Sequence, residues 1–239
     1  MRASGNAARA AVLFDAVGTL IELREPVGET YARAARAHGL ELPAWRLDDA
    51  FQRVLKSMPA MVFPEATEPE RPALERQWWY SVVRSTLLAA DSTAEQRSLD
   101  ALFNALFRHY GRAEAWRARA GAHAVLAQLR EEEVTLAVVS NFDHRLPALL
   151  SELGLREFFA LIALPCQAGV AKPDPRLFKW ALTQLDIPAA STVYVGDPPE
   201  AELAAARAAG LHAIDVRSLA TLTALPEQIA LPPPESKRG

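Results

Sequence analysis

Three apolar runs in this chain each stop abruptly on a polar residue. Ala11-Val12-Leu13-Phe14 ends at Asp15, Leu136-Ala137-Val138-Val139 at Ser140, and Val193-Tyr194-Val195-Gly196 at Asp197. Short Val- and Leu-rich runs set between helix-like segments read as buried strands of a parallel sheet, because such strands are covered on both faces and need no polar alternation. In an open α/β sheet, ligands bind beyond the carboxyl ends of the strands. The pattern therefore gathers three polar residues, two of them carboxylates, along one sheet edge, and an enzyme is expected there.

From Gly121 onward helices and strands alternate. Helical periodicity covers 122–133, 144–153, 175–185 and 200–209, and strand patterns cover 134–140, 161–164, 192–195 and 212–216. Gly154 and Gly210 stand where helix-closing glycines are expected. This alternation predicts an α/β fold, a Rossmann-like doubly wound parallel sheet. The stretch after Leu20 breaks the rhythm, since the next regular unit begins only near Gly121, far beyond an ordinary crossover. Within it, 27–38, 47–56, 75–88 and 95–110 carry apolar residues at three- and four-residue spacing, the mark of amphipathic helices. The expected organisation is a core of 1–24 and 117–225, an all-helical insert of 25–116 over the strand ends as a lid, and a flexible tail of 226–239.

Composition narrows the function. A net charge of −3 over 239 residues argues against a general nucleic-acid or anionic-membrane surface. No apolar stretch approaches the roughly 20 residues that span a bilayer, and the N-terminus lacks the apolar segment of a signal peptide. Cys166 is the single cysteine, which excludes an internal disulfide and suits a reducing compartment. A cytoplasmic protein is expected, acting on a small molecule as a monomer or homodimer. Cys166 itself reads as a structural thiol rather than a nucleophile.

The strand-end residues suggest specific chemistry. Asp15 is placed to act as a nucleophile, splitting one hard step into two through a covalent aspartyl intermediate. Gly18 permits a sharp turn after the strand. Thr19 offers its hydroxyl either to a bound anion or to the turn. Ser140 and Asn141 bring a hydroxyl and an amide suited to gripping phosphate or carboxylate oxygens. Lys172, fixed by Pro173-Asp174-Pro175, supplies a charge that neutralises nucleophile and transferred group. Asp197 and Asp15 are oxygen ligands of the kind that favour Mg²⁺. Glu202 reads either as the holder of a metal-bound water or as an exposed glutamate favouring a helix start. Pro198-Pro199 removes two backbone donors from the loop between them.

Together Phe14-Asp15-Ala16-Val17-Gly18-Thr19-Leu20, Val138-Val139-Ser140-Asn141, Lys172-Pro173-Asp174-Pro175 and Gly196-Asp197 with Glu202 resemble, in order, the four motifs of the haloacid dehalogenase (HAD) superfamily. The helical insert resembles that superfamily's cap placed after the first motif. Pro26-Val27-Gly28-Glu29, Arg36-Ala37-His38-Gly39-Leu40, Gln77-Trp78-Trp79 and Ser140-Asn141-Phe142-Asp143 are similar to the HAD-like hydrolase domain-containing protein three subgroup. The resemblance implies a Mg²⁺-dependent hydrolase of a phosphorylated metabolite, with Asp15 as nucleophile and Asp15, Asp197, Glu202 and the backbone carbonyl of Val17 around the metal.

Val17 departs from that pattern. Phosphatases of the superfamily carry there a second Asp that protonates the leaving oxygen and later activates water, and valine does neither. Loss of a positioned general acid/base costs about 10²–10⁴ in rate. Three readings follow: a phosphoryl hydrolase whose leaving group needs little protonation or that draws acid/base help from the insert, a metal-free 2-haloacid dehalogenase, or a catalytically weak protein using the fold to bind a ligand or partner. In the insert, Glu29, Arg33, Arg36 and His38 read mainly as the wet face of a helix, and at least one of Trp78 and Trp79 is expected in the core because neighbours on a helix point about 100° apart.

Overall fold

The computed structural model describes residues 11–93, 99–197 and 199–229. The described chain forms two compact units. One contains the described residues through Glu22, Ala118–Phe142 and those from Gly154 onward; the other contains Leu23–Arg117 and Asp143–Leu153.

The first unit is built on a five-stranded parallel sheet. Its strands are β1 (Ala11–Phe14), β4 (Thr135–Val139), β5 (Leu161–Ala163), β6 (Thr192–Gly196) and β7 (His212–Asp215), in the order β5-β4-β1-β6-β7. Phe14 pairs in register with Val138 on one side and Val195 on the other. All residues of β1 and β6 are buried, as strands covered on both faces must be. Side chains alternate between faces. Leu13, Ala137, Val139 and Tyr194 pack with α8 (Pro175–Leu185) and α9 (Glu200–Ala208) through Leu177, Phe178, Ala181, Leu203 and Ala206. Also in this unit are α5 (Ala122–Glu131) and the one-turn helices α7 (Pro165–Ala168) and α10 (Leu225–Gln228).

Residues 225–229, at the start of the expected tail, are packed. Leu225 and Ile229 bury their side chains, and α10 packs on α5, because two apolar residues four apart present one face of a helical turn. Residues 230–239 lie outside the described residues, as do 95–98 and Pro198.

The second unit holds α1 (Val27–Ala37), α2 (Ala44–Ser57), α3 (Arg71–Ala90) and α4 (Asp100–Tyr110). Its core includes Tyr31, Leu47, Leu87, Leu102 and Leu106. Gly28 lets α1 lie close to α2, since a Cβ there would come within 2.1 Å of the Ala44 carbonyl oxygen. Trp79 packs against this core, while the Trp78 indole donates to the Pro59 carbonyl. Arg33 pairs with Glu25 and Arg36 with Glu41 on the outer face of α1.

Residues 143–153, with α6 (Leu146–Glu152), belong to this helical unit rather than to the α/β unit in which the helix–strand rhythm sets them. Side-chain contacts decide this. Trp79 Nε1 donates to Asp143 Oδ2 at 2.7 Å, buried Glu75 accepts from the His144 backbone at 3.1 Å and pairs with its Nδ1, and the Arg145 guanidinium stacks 3.7 Å from the Phe107 ring centre. Two three-residue strands, β2 (Ile21–Leu23) and β3 (Trp116–Ala118), pair as a separate sheet; so short a pattern leaves no sequence signal. None of the described helices is long and apolar enough to cross a membrane.

Candidate active site

Sheet order explains why Asp15 lies at the centre of the edge. From β1 the chain adds β4 and β5 on one side, then returns to place β6 and β7 on the other. The strand order reverses between β1 and β6, the crevice where α/β sheets bind ligands. Asp15 follows β1 and Asp197 follows β6. The Asp15 backbone N–H donates to the Val195 carbonyl at 2.8 Å, so the ladder extends one residue past β1 and fixes Asp15 beside β6.

The loop after Asp15 is tightly wound. The Ala16 carbonyl accepts from Leu20 and Ile21 at 2.8 and 3.0 Å, and Gly18 N–H donates to the Ile21 carbonyl at 2.8 Å. Gly18 has φ +82°, and a Cβ at that position would come within 2.1 Å of Asp197 Oδ2. Only glycine allows both the backbone conformation and the approach of that carboxylate. Arg119 clamps the same loop, donating from its backbone to Leu20 and from Nη1 to the Gly18 carbonyl at 2.6 Å.

Lys172 is the hub. Its Nζ donates to Asp15 Oδ1 at 2.6 Å and to the Tyr194 hydroxyl at 3.0 Å, and it lies 2.8 Å from Glu202 Oε2. Two hydrogen bonds and one ion pair converge on this ammonium, whose side chain is 3% exposed, and Glu202 Oε2 is buried with no hydrogen-bond partner among the described residues. Burial alone would lower its pKa, but the charges of Asp15, Tyr194 and Glu202 outweigh burial and raise it above the ordinary lysine value. The Tyr194 phenol is pushed up, first by burial, and packs edge-on against Phe178. Asp197 is pushed up by burial and then by the Asp15 charge, with Arg217 and Arg119 opposing.

The remaining expected residues take distinct places. Asn141 does not present its amide to open space: Oδ1 accepts from the Lys172 N–H at 2.8 Å and Nδ2 donates to the Lys172 carbonyl at 2.9 Å. It positions the lysine segment. Ser140 is buried, and its Oγ accepts from the Phe142 N–H at 3.2 Å. Thr19 is fully buried, and its hydroxyl has no partner among the described residues, so the turn does not use it. Val17 is 38% exposed. Sequence reasoning overlooks Tyr194 and Arg119; the one local sign is a tyrosine inside an otherwise aliphatic strand.

The groups that would hold a cation are Asp15, Asp197 and the Val17 carbonyl. Asp197, pushed up by burial and by the Asp15 charge and lodged in a cradle only glycine leaves open, fits with Asp15 a hard divalent ion, which would relieve their repulsion. Glu202 is turned to Lys172. Among the described residues, the only three such groups with ligand atoms all within 4.8 Å of one another are Glu75, Asp143 and His144 in the helical unit. There both Asp143 oxygens already accept from Arg145, and one from Trp79 as well.

A Rossmann-like sheet that presents a carboxylate at its central strand, bound to a buried ammonium, belongs to the class of hydrolases built around a strand-end aspartate. The chain belongs to the haloacid dehalogenase-like hydrolase family, whose model matches residues 10–210. It is 36% identical to "Haloacid dehalogenase-like hydrolase domain-containing protein 3" of Bos taurus over 199 residues, 83% of this chain and 78% of that one. The fold is shared with a defluorinating L-2-haloacid dehalogenase (TM-score 0.69, 19% identity, 92% of this chain and 94% of that one). It is shared too with a HAD phosphatase from Thermococcus onnurineus (TM-score 0.61, 19% identity, 92% and 98%).

Proposed function

We propose that the chain is a Mg²⁺-dependent hydrolase of a small phosphorylated metabolite, working through a covalent intermediate on Asp15. The observation that carries this reading is the pairing of Asp15 with Lys172 at 2.6 Å while Asp197 lies against Gly18 of the same loop. With Lys172 on Oδ1, Oδ2 is the oxygen left to attack phosphorus. The bond from phosphorus to the leaving oxygen breaks as the new one forms, and its electron pair departs with that oxygen. Water then attacks the aspartyl phosphate, and the pair of the broken bond returns to Asp15. Lys172 offsets the negative charge that gathers at the reacting oxygens, and Asn141 holds Lys172 in register. A bound Mg²⁺, held by Asp15, Asp197 and the Val17 carbonyl, would supply further charge neutralisation.

A panel of phosphate monoesters and anhydrides, assayed with and without Mg²⁺, tests the reading. Turnover that needs Mg²⁺ and disappears in Asp15→Asn supports it. A second reading, a metal-independent 2-haloacid dehalogenase, draws on Val17, since a departing halide needs no proton, and on Lys172, which neutralises Asp15 without a metal ion. Halide release from 2-haloacids that persists in EDTA would favour it.

A further inference from the structure

We propose that Tyr194 is a positioning residue of the candidate site: its hydroxyl fixes the direction of the Lys172 ammonium, so that Lys172 stays on Oδ1 of Asp15 and leaves Oδ2 to attack. The inference rests on Asp15 as the attacking group, which the phosphatase and dehalogenase readings share, and it adds the residue that orients the partner of that group.

Lysine directs poorly by itself. Its ammonium is a point charge on a flexible four-carbon stem, and before a carboxylate it can meet either oxygen or bridge both. A hydrogen bond to the attacking oxygen ties up electron density that must form the new bond, so an ammonium wandering onto Oδ2 would slow the attack. Holding it on Oδ1 takes an anchor at each end of the side chain. At the backbone end Asn141 accepts from the Lys172 N–H and donates to its carbonyl. At the other end three oxygens approach Nζ in different ways. Asp15 Oδ1 at 2.6 Å and the Tyr194 hydroxyl at 3.0 Å accept hydrogen bonds. Glu202 Oε2, at 2.8 Å, makes an ion pair, yet it accepts no hydrogen bond from the described residues. Coulomb attraction depends on distance and not on angle, whereas a hydrogen bond weakens steeply away from linearity. Glu202 therefore holds the charge, and Tyr194 with Asp15 sets the direction of the N–H bonds.

The tyrosine is placed rigidly. It stands in β6 in register with Leu13 of β1 and Ala213 of β7, is fully buried, and packs its ring edge-on against Phe178 with centres 4.8 Å apart. The ring carries the hydroxyl to a set point without a flexible stem. Lys172 Nζ also lies 5.5 Å from the centre of that ring, within reach of its negative face. Burial pushes the phenol pKa up, so the hydroxyl stays neutral and accepts from the ammonium without adding a third negative charge to those of Asp15 and Glu202. The other buried residues of this core are Ala, Val, Leu and Phe. Packing alone would be met by phenylalanine, and the hydroxyl answers to Lys172.

The test compares the full chain with Tyr194→Phe, which keeps the ring and removes the hydroxyl. The four lysines, Lys56, Lys172, Lys179 and Lys237, are labelled with ¹⁵N at Nζ, and exchange of each ammonium with water is followed by NMR. Lys56→Arg, Lys179→Arg and Lys237→Arg identify the Lys172 signal by elimination. Wild type is expected to show slow exchange at Lys172. In Tyr194→Phe that exchange should quicken about tenfold or more, the weight of one hydrogen bond from a charged donor. Turnover is read with p-nitrophenyl phosphate and Mg²⁺, and with 2-chloropropionate in EDTA. On whichever probe wild type uses, Tyr194→Phe should lower kcat about 10–100-fold and leave KM unchanged. A tyrosine that only fills the core would leave exchange, kcat and KM as they are, and that result overturns the inference. Fast exchange at Lys172 in wild type overturns it too, as does quickened exchange with an unchanged kcat. If wild type turns over neither probe, the reading of Asp15 as nucleophile fails, whereas the exchange rates still decide whether Tyr194 holds the ammonium.

Discussion

Replacing Lys172 by methionine keeps the side chain as far as Cε and removes the ammonium that pairs with two carboxylates. At 2.6 and 2.8 Å from Asp15 and Glu202, each gross Coulomb attraction is about 6 kcal/mol at an effective dielectric constant of 20. Burying the ions offsets much of this. The net cost of removing one partner from a buried pair is about 3–5 kcal/mol, because the remaining charge is stranded. For a chain of this size that corresponds to a fall of roughly 6–20 °C in melting temperature. The sharper result lies in the double variant. In wild type, Glu202→Gln removes a partner of a buried ammonium and should destabilise by about 1.5–3 kcal/mol. In the Lys172→Met background the same change removes one of two carboxylates left facing each other, so it should stabilise. Thermal denaturation of the four proteins, monitored by circular dichroism with pH held at 7, reads the coupling. Glu202→Gln changing stability with the same sign in both backgrounds would refute the shared-ammonium picture. The sign of the pH effect is also fixed. The Lys172 pKa is raised in the folded chain, so its stabilisation is complete below the ordinary lysine pKa and fades only as pH climbs above it. An unchanged melting difference between wild type and Lys172→Met from pH 6 to 9 is therefore expected.

Gly18→Ala forces a side chain into positive φ and onto Asp197 Oδ2; a loss of about 1–3 kcal/mol is expected, with Mg²⁺ dependence shifted to higher concentration in the phosphatase assay. Asn141→Ala cuts both hydrogen bonds to the Lys172 backbone. It should lower kcat by about 10²-fold through misplacement of the ammonium, with little change in KM; a kcat within twofold of wild type would show that Asn141 does not position Lys172. Glu25 is held down to about 2 by hydrogen bonds from Arg33 and Thr30. A depressed carboxylate stabilises the fold above its ordinary pKa and loses that contribution as pH falls through the depressed value. The helical unit should therefore melt progressively earlier between pH 4.5 and about 2, and Glu25→Gln should flatten that slope.

Much of the fold can be read locally. Fully buried strands are short, uniformly apolar and stopped by polar residues, so β1, β4 and β6 announce themselves, as do the long amphipathic helices α1 and α8. The three-residue strands β2 and β3 do not, since Ile21-Glu22-Leu23 is too short to hold a period. Asp143, His144 and Arg145 lie in the sequence rhythm of the α/β unit, yet their partners are Glu75, Trp79 and Phe107, far away in the chain. Tyr194 fills an aliphatic strand, and nothing nearby in sequence says that its hydroxyl meets an ammonium.

The identity of the candidate site groups was therefore a property of the sequence: Asp15, Lys172 and Asp197 stand at strand ends or in a proline-fixed loop, and strand ends are set by local hydrophobicity. Which group each of them touches was decided by tertiary structure alone. Parallel pairing brings residues more than a hundred positions apart into hydrogen-bond reach, and only packing determined that Glu202 would turn to Lys172, that Asn141 would serve the lysine backbone, and that Asp197 would rest where Gly18 has no side chain.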